Sequence, residues 1–363
     1  MSAPYVVLSD LHLHDWNSFS TTLSTGVNSR LQLILNEIES AASVVRELGG
    51  TRIYMAGDLF HVRGALKPSV MNPVIDCIAD LVNEGFQFRI IPGNHDLESK
   101  DSKRLTNATQ ALERIGVDVV TDFRIYHDDK VVMVPWVEDQ DDLVRQCLAL
   151  RMDIDSTAAP GANPEEDYTL IIHAALNGVI KGIPDTGLDP QELDDMGYKN
   201  VLVGHYHNHR QLTDNVFSVG ATTHQTWSDV GTRAGYLVVS DGGNEIDHVE
   251  SKAPQFMDFD LGWKKTEASL ACEGNYVRVK LDEATEKEII VIRETIIGEY
   301  GALGCVVKAT PKSSATARVG SSASGVSIEQ SIDEWITKEC SGDRKEIIAE
   351  CMDILQEAKE GVI

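Results

Sequence analysis

Acidic, amide and imidazole side chains recur in this sequence directly after short apolar runs. The first two runs are followed by Asp10, His12 and Asp58. Later runs lead to the remaining members of the set, which are Asn94, His173, His205 and His207. Carboxylate, amide oxygen and imidazole groups bind divalent cations, and no cysteine belongs to the set. Because alternate residues of an extended chain point to one side, Asp10 and His12 can serve the same metal site.

These seven groups could hold two divalent ions if the ions shared one carboxylate, and Asp58 is the natural bridge. The donor atoms suit Mn(II), Fe(II) or Zn(II), and composition alone does not choose among them. Two ions about 3.5 to 4 Å apart hold a phosphoryl group and activate water for attack. His95 beside Asp96 is the candidate that assists the leaving oxygen, because a neighbouring carboxylate can orient an imidazole and support its protonated form.

The elements that must position these residues alternate between strands and helices. Apolar residues at helical spacing predict helices over residues 30–48 and 70–83, between strands at 5–9, 53–56 and 87–91. This β-α-β-α-β order predicts a parallel sheet with right-handed crossovers. The carboxyl ends of such strands are where open α/β sheets place ligands. Further short strands predict a second sheet, at residues 131–134, 169–172, 201–203, 216–219 and 235–239.

The character of the chain changes near residue 250. Residues 1–250 form the predicted catalytic domain, and residues 255–310 read as a small α+β domain. Residues 311–327 are rich in Ser, Ala and Gly, which is typical of a flexible linker. Apolar residues at helical spacing then predict a pair of amphipathic helices over residues 328–363.

Composition excludes several classes of protein. The formal net charge of −25 argues against a protein that coats nucleic acid by bulk electrostatics. No apolar run approaches the roughly 18 to 20 residues that span a membrane, and no signal peptide is recognised. Six scattered cysteines predict reduced thiols and a cytoplasmic location. The chain has no Gly-Lys dipeptide, so it carries no P-loop for ATP.

The motifs around the candidate ligands resemble those of the calcineurin-like metallophosphoesterases. They are Asp10-x-His12, Gly57-Asp58-x-x-His61, Gly93-Asn94-His95-Asp96, His173 and Gly204-His205-x-His207. Within that family, the chain is similar to the SbcD-type nuclease subunits of double-strand-break processing complexes. The resemblance implies a four-layer α/β/β/α metallophosphoesterase sandwich with a small α+β capping domain that contacts DNA and a C-terminal helical pair.

The resemblance also implies roles for individual residues. Asp10, His12, Asp58 and His207 would hold one ion, and Asp58, Asn94, His173 and His205 would hold the other. His95 would protonate the leaving oxygen or stabilise the transition state, and His61 would help to position the DNA or the phosphate. The implied metal is manganese, with Fe(II), Zn(II) or Mg(II) as alternatives. The implied partners are DNA, a second copy of the chain and an SMC-like, SbcC-type ATPase that docks on the C-terminal helices.

Several alternatives remain open. The chain could instead be a phosphodiesterase or phosphatase for a small molecule or nucleotide, or a non-catalytic scaffold subunit. His14 continues the alternation after His12 and could add an imidazole to the first ion. Basic residues near the motifs are candidate phosphate contacts, namely Arg63, Lys67, Lys100, Lys103 and Arg104.

Overall fold

The computed structural model describes residues 3–99, 107–157, 168–180, 182 and 186–311, together with the pairs 335–336, 347–348 and 351–352. Met1–Thr310 form one compact unit and Pro311–Ile363 form a second. The predicted linker and helical pair therefore lie almost wholly outside the described residues, as do Lys100, Lys103 and Arg104. The predicted domain boundaries stay predictions.

The first unit begins with alternating strands and helices over residues 5–91, as the sequence predicts. Its strands are β1 Tyr5–Leu8, β2 Arg52–Ala56, β3 Gln87–Ile91, β4 Asp118–Val119, β5 Arg124–Tyr126, β6 Val131–Val134, β7 Thr169–His173, β8 Asn200–Gly204, β9 Arg210–Gln211, β10 Val216–Ser218, β11 Gly235–Ser240, β12 Glu245–Glu250, β13 Phe256–Asp258, β14 Tyr276–Ala284 and β15 Gly304–Pro311. Its α-helices are α1 Ser29–Glu47, α2 Pro68–Asn83, α3 Gln140–Thr157, α4 Pro190–Asp194, α5 Lys265–Cys272 and α6 Glu286–Gly298. Ala108–Ile115 form a 3-10 helix.

Two six-stranded sheets carry the candidate ligands. The first has the order β12-β11-β1-β2-β3-β4, in which β1 to β4 are parallel. The prediction that residues 235–239 belong to the second sheet is wrong, because β11 pairs antiparallel with β1. The second has the order β5-β6-β7-β8-β10-β9, in which β6, β7, β8 and β10 are parallel. Leu8 pairs with Met55, and His173 pairs with Gly204. The carboxyl ends of neighbouring strands therefore lie side by side in both sheets.

Alternation of side chains along the strands divides the interior into three apolar layers. In β2, Ile53 and Met55 pack with the apolar faces of α1 and α2, whereas Tyr54 and Ala56 face the second sheet. In β7, Leu170 packs on the side of α3 and α4, and Ile171 faces the first sheet. Because each strand buries both of its faces, the order is helices, sheet, sheet, helices. The predicted α/β fold class is confirmed.

A three-stranded sheet, β13-β14-β15, forms the centre of the small α+β module at residues 255–311. Val277, Val279 and Ile296 bury their side chains against Cys272 and Cys305, so the module has an apolar core of its own. These two thiols and those of Cys77, Cys147 and Cys351 are free. Among the described helices, none combines the length and apolar character that a membrane span needs.

Candidate metal centre

Sharp backbone turns follow β1 and β2 and deliver the first three candidate ligands. Asp10, His12 and Asp58 all lie in the left-handed region, with φ of 49°, 46° and 51°. Non-glycine residues rarely adopt this conformation, and those that do cluster at functional sites. The two turns support each other, since the backbone N–H of Asp10 donates to Gly57 O at 3.1 Å and that of His12 donates to Asp58 O at 3.0 Å.

Gly57 lets the first sheet approach the second at this point. Its φ is 94°, and a Cβ atom placed on it would collide with the imidazole of His173. Glycine adopts this φ without steric strain, and it has no Cβ atom that would clash with the ring. The Gly57-Asp58 pair therefore allows a ligand from the second sheet to reach a ligand from the first.

One cluster of potential ligands consists of Asp10, His12 and His207, whose donor atoms lie within 4.8 Å of one another. The Asp10 side chain is fully buried, and its Oδ2 accepts from Ser9 Oγ at 2.6 Å and from the backbone N–H of His205 at 2.9 Å. Its Oδ1 is buried without a hydrogen-bond partner in the described structure. A buried carboxylate oxygen that lacks a donor is destabilising, and a bound cation would satisfy it.

The second cluster consists of Asp58, His173 and His205. Asn94 joins it, because its Oδ1 lies 3.2 Å from His173 Nε2 and 3.0 Å from His205 Nδ1. His173 donates its Nδ1–H to the Ala56 carbonyl at 2.7 Å, which leaves Nε2 to face the cluster. Such an outer hydrogen bond fixes the tautomer and ring orientation of a metal-binding histidine.

Asp58 lies between the two clusters. Its Oδ2 is 3.7 Å from His12 Nε2 and 3.5 Å from His173 Nε2, and its Oδ1 accepts from the backbone N–H of His95 at 2.8 Å. One carboxylate oxygen therefore faces ligands from both sheets. The structure thus brings all seven predicted ligands together, and the position of Asp58 is the one predicted for a bridge.

Burial and the Asp58 carboxylate act in opposite directions on the imidazoles of the site. Burial lowers the pKa of His12 to about 3 and that of His205 to about 4, so both imidazoles are neutral and can donate a lone pair. Burial also acts on His173, but the Asp58 carboxylate outweighs it and raises the pKa of His173 to about 9. The charge of His173 in turn outweighs burial at Asp58 and holds the pKa of that carboxyl well below its usual range. The nitrogen and oxygen donors of the two clusters fit two divalent ions.

His95 and Asp96 do not form the predicted pair. His95 donates its Nδ1–H to the carbonyl of His61 at 2.8 Å. The buried Asp96 carboxylate instead accepts backbone N–H groups of Leu59, Phe60 and Gly93 at 2.8 to 3.1 Å. Consecutive side chains of this turn point apart, so Asp96 fixes the loops after β2 and β3 rather than the imidazole of its neighbour.

His61 and His95 lie beside the first cluster. Their rings stack at a centroid distance of 5.6 Å, and His61 Nδ1 is 3.4 Å from His12 Nδ1. Burial lowers the pKa of His61 to about 4. Both imidazoles therefore border the place where a substrate would meet the ions.

Among the described residues, His14 belongs neither to the two clusters nor to the group formed by His12, His61 and His95. Its Nδ1 lies 3.4 Å from Asp15 Oδ1, and its ring packs against Trp16. Lys67, a candidate phosphate contact, forms an ion pair with Asp15 at 2.8 Å. Arg63, another candidate phosphate contact, is exposed.

The sequence analysis missed Asp229, which supports the ligand His207. Asp229 Oδ1 accepts the Nδ1–H of His207 at 2.7 Å, and its Oδ2 accepts the backbone N–H groups of Gln225 and Thr226 at 2.8 Å. Gln225 Nε2 in turn donates to the Asp10 carbonyl at 2.7 Å. The spacing Thr226-x-x-Asp229 is that of a capping box, and this signal could have indicated a fixed carboxylate.

Arg30 was also missed, because it resembles an ordinary surface base at the start of α1. Its side chain is buried and donates from Nη2 to the Gln225 carbonyl at 2.7 Å. The guanidinium lies 5.0 Å from the ring centroid of Phe256 and 5.1 Å from that of Trp16. Arg30 therefore connects the loop of Gln225 and Asp229 to an aromatic residue of the small module.

An open cleft of about 1020 Å³ reaches the first cluster from the side of His207. It is lined by Val179, Ile180, residues 205–211 and residues 228–233. The side chain of His207 is 27% exposed, whereas those of Asp10 and His173 are fully buried. The cleft thus gives a substrate access to the candidate ions.

The sequence matches no protein-family model and no curated protein. Among solved structures, the chain is similar to a dimetal phosphatase from Danio rerio, with 8% sequence identity, a TM-score of 0.40, and coverage of 66% of this chain and 92% of that chain. It is also similar to the nuclease MPE from Pseudomonas putida, with 12% identity, a TM-score of 0.29, and coverage of 68% of this chain and 87% of that chain.

Proposed function

We propose that this protein is a metal-dependent phosphoesterase with two divalent ions and that its substrate is a phosphodiester of DNA. The observation that carries the proposal is the shared carboxylate, because Asp58 Oδ2 lies 3.7 Å from His12 Nε2 and 3.5 Å from His173 Nε2. Two ions held by these residues would supply charge neutralisation and an activated water for in-line attack on phosphorus. The buried, partnerless Oδ1 of Asp10 supports cation binding independently.

The residues of the chain prepare this chemistry. The Ala56 carbonyl and the Asp229 carboxylate each take an Nδ1–H, so that His173 and His207 present Nε2 to the clusters. The His61 carbonyl holds His95 by its Nδ1–H, which leaves Nε2 as the atom that would carry a proton to the leaving oxygen. Asp96 keeps the loops of these residues in place through its three backbone hydrogen bonds.

More specifically, we propose that the protein is an SbcD-type nuclease subunit that acts in DNA repair and recombination. Its sequence motifs, the nitrogen and oxygen ligands suited to manganese, and the separate α+β module support this proposal. A homodimer, an SMC-like ATPase partner and a cytoplasmic location belong to the same proposal. The segment proposed to dock the ATPase, residues 328–363, lies almost wholly outside the described residues.

A direct test incubates the purified protein with Mn(II) and either a linear duplex, a single-stranded oligonucleotide or bis-p-nitrophenyl phosphate. We expect cleavage of the DNA and the ester, abolished by chelation. His95→Asn should reduce the rate about 10²- to 10⁴-fold, the usual contribution of a general acid. His127→Asn is the matched control, because its ring pairs with Tyr168 away from both clusters. Two bound ions with no cleavage of any substrate would contradict the proposal and favour a scaffold.

A second candidate is a phosphatase or phosphodiesterase for a small molecule or nucleotide. The formal net charge of −25 favours it, since bulk repulsion weakens binding of a long polyanion more than binding of a small ester. Rapid hydrolysis of p-nitrophenyl phosphate or a nucleotide, with both forms of DNA left intact, would select this candidate.

A further inference from the structure

The cleft beside His207 differs in charge from the rest of the molecule. The sequence contains 57 acidic residues and 32 Lys and Arg residues. The lining of the cleft nevertheless includes Arg210 and Arg233 and a single carboxylate, that of Asp229. Asp229 is buried, and both of its oxygens accept hydrogen bonds, from His207 and from the loop backbone. The charge that this cleft presents to a ligand is therefore positive.

The two arginines are held at defined positions on the walls. Arg210 lies on β9 and donates from Nη1 to the Gly178 carbonyl at 2.5 Å. Arg233 is anchored through its backbone N–H, which donates to Asn208 Oδ1 at 3.2 Å, and its guanidinium lies 3.4 Å from His248 Nδ1. A guanidinium fixed on one side keeps further N–H donors for an anion, and its planar fork matches the oxygens of a phosphate.

His209 also lines the cleft. It donates its Nδ1–H to the Ser218 carbonyl at 2.9 Å, and its ring stacks on that of His248 at a centroid distance of 4.0 Å. The remaining carboxylate near Arg233 is Glu250, whose Oε1 lies 3.4 Å from Nη2 in an exposed pair. Exposed pairs of this kind are weak, and Arg233 can exchange Glu250 for an anion.

The cleft is large enough to hold more of a ligand than its reacting phosphate group. Sites for drug-sized ligands occupy about 300 to 1,000 Å³. A volume of about 1020 Å³, reached from the metal clusters through His207, therefore has room for more than the ester that reacts. A ligand that fills it would place a second anionic group near the arginines.

We propose that Arg233 and Arg210 form a second phosphate-binding subsite, which holds a neighbouring phosphate of a single-stranded nucleic acid while another phosphate lies at the metal clusters. The inference rests on the proposed function for the class of substrate. It assigns strand binding to the His207 side of the site, whereas the basic residues singled out in the sequence, Arg63 and Lys67, belong to the segment near His61. It also explains how an acidic chain can bind a polyanion locally.

The test measures binding by fluorescence anisotropy of a labelled single-stranded oligonucleotide at several salt concentrations. Mn(II) is present and every protein carries His95→Asn, so that the clusters are loaded while turnover is slow. We expect Arg233→Gln to raise Kd about five- to tenfold, because one charge-assisted phosphate contact is lost. The slope of log K against log salt should fall in magnitude by about 0.7, the value for one phosphate contact on a single strand. Glu250→Gln should lower Kd, because it releases Arg233 from its exposed pair.

Arg145→Gln is the matched control, since it removes a similarly exposed guanidinium from α3, where it pairs with Asp142. Equal weakening by Arg145→Gln and Arg233→Gln would show a bulk-charge effect and overturn the inference. An unchanged Kd for Arg233→Gln, or no binding by the unmodified protein even at low salt, would also overturn it. Because the assay needs no catalysis, a lack of phosphoesterase activity would refute the proposed function without deciding this result.

Discussion

Asp229 and His207 are joined by a hydrogen bond of 2.7 Å between Oδ1 and Nδ1–H. The bond outweighs the effect of burial and lowers the pKa of Asp229, so the carboxylate stays ionised. It also fixes the tautomer in which His207 Nε2 faces His12 Nε2, 3.2 Å away. The first cluster therefore depends on a carboxylate that is not one of its own candidate ligands.

Asp229→Asn should weaken one of the two metal sites. Asparagine can keep an oxygen for the backbone N–H groups of Gln225 and Thr226, and its amide nitrogen then faces His207 Nδ1. This donor favours the other tautomer, which places a proton on Nε2 and removes the lone pair that a metal needs. We expect about 10- to 100-fold lower affinity at one site, measured by titration calorimetry with Mn(II).

The exposed Asp247 on β12 supplies the control for this substitution, and Asp247→Asn should leave both affinities unchanged. Equal affinities of the Asp229→Asn variant and the unmodified protein would show that Asp229 only caps its loop.

Asp58→Asn should weaken both sites together. Its Oδ2 faces His12 and His173, which belong to different clusters, so both ions depend on this carboxylate. We expect more than about a hundredfold loss of affinity for each ion, a greater effect than that of a supporting residue such as Asp229. Bound manganese, counted by elemental analysis after gel filtration, should fall from two per chain towards zero. Retention of one tightly bound ion would show that Asp58 serves one cluster rather than two.

The sequence could predict the ligands because each follows a strand. Apolar runs such as residues 53–56 define buried strands, and parallel strands bring their carboxyl ends to one edge. That rule places Asp58 near Asp10 in the first sheet and His173 near His205 in the second, without any knowledge of side-chain contacts. The helices α1 and α2 were predictable for the same reason, since their apolar residues recur at helical spacing.

The supporting residues were not predictable in this way, because their contacts depend on how distant loops pack. Asp229 lies in a polar loop 22 positions after His207, and the burial of Arg30 requires aromatic residues from three separate segments. Asp96 was assigned to His95 because the two are adjacent in sequence. In the turn they point apart, and Asp96 bonds to backbone groups of two loops instead.

Asp258 in the small module gives a prediction for the pH dependence of stability. Its carboxylate accepts two hydrogen bonds from Arg278, at 2.5 and 3.0 Å, and one from Lys280 at 2.6 Å. The hydrogen bond to Arg278 is the main reason that the pKa of Asp258 is lowered to about 2. A carboxyl whose folded pKa is depressed stabilises the fold above its unfolded pKa, and this contribution is lost as the pH falls through the folded pKa.

Asp258→Asn should therefore lower the free energy of unfolding at pH 7 by about 0.5 to 1 kcal/mol, since solvent screens a partly exposed pair. The difference from the unmodified protein should shrink between about pH 4 and pH 2, as urea denaturation at several pH values would show. Asp282→Asn, at an exposed position of β14, is the control and should have no such pH-dependent difference. A constant difference between pH 7 and pH 2 would mean that the charge of Asp258 is irrelevant.

Arg30 should be required both for stability and for the first metal site. Its buried guanidinium donates to the carbonyls of Gln225, His224 and Ser18, and Arg30→Met leaves these acceptors without their donor. Loss of hydrogen bonds from a buried charged group should lower the free energy of unfolding by about 2 to 4 kcal/mol in urea denaturation. Because Gln225 also donates to the Asp10 carbonyl, the same variant should weaken one manganese site in the calorimetric titration.

Arg46→Met provides the matched comparison on the same helix, since Arg46 is about half exposed and pairs with the exposed Glu84. Arg46→Met should change the free energy of unfolding by no more than about 0.5 kcal/mol, as is usual for surface substitutions. If Arg30→Met cost no more than Arg46→Met, the guanidinium would not hold the loop. If stability fell while both manganese affinities were unchanged, Arg30 would support the packing of the small module alone. The expected result, a loss of stability with selective weakening of one ion, would link the aromatic contacts of Phe256 to the position of Asp10.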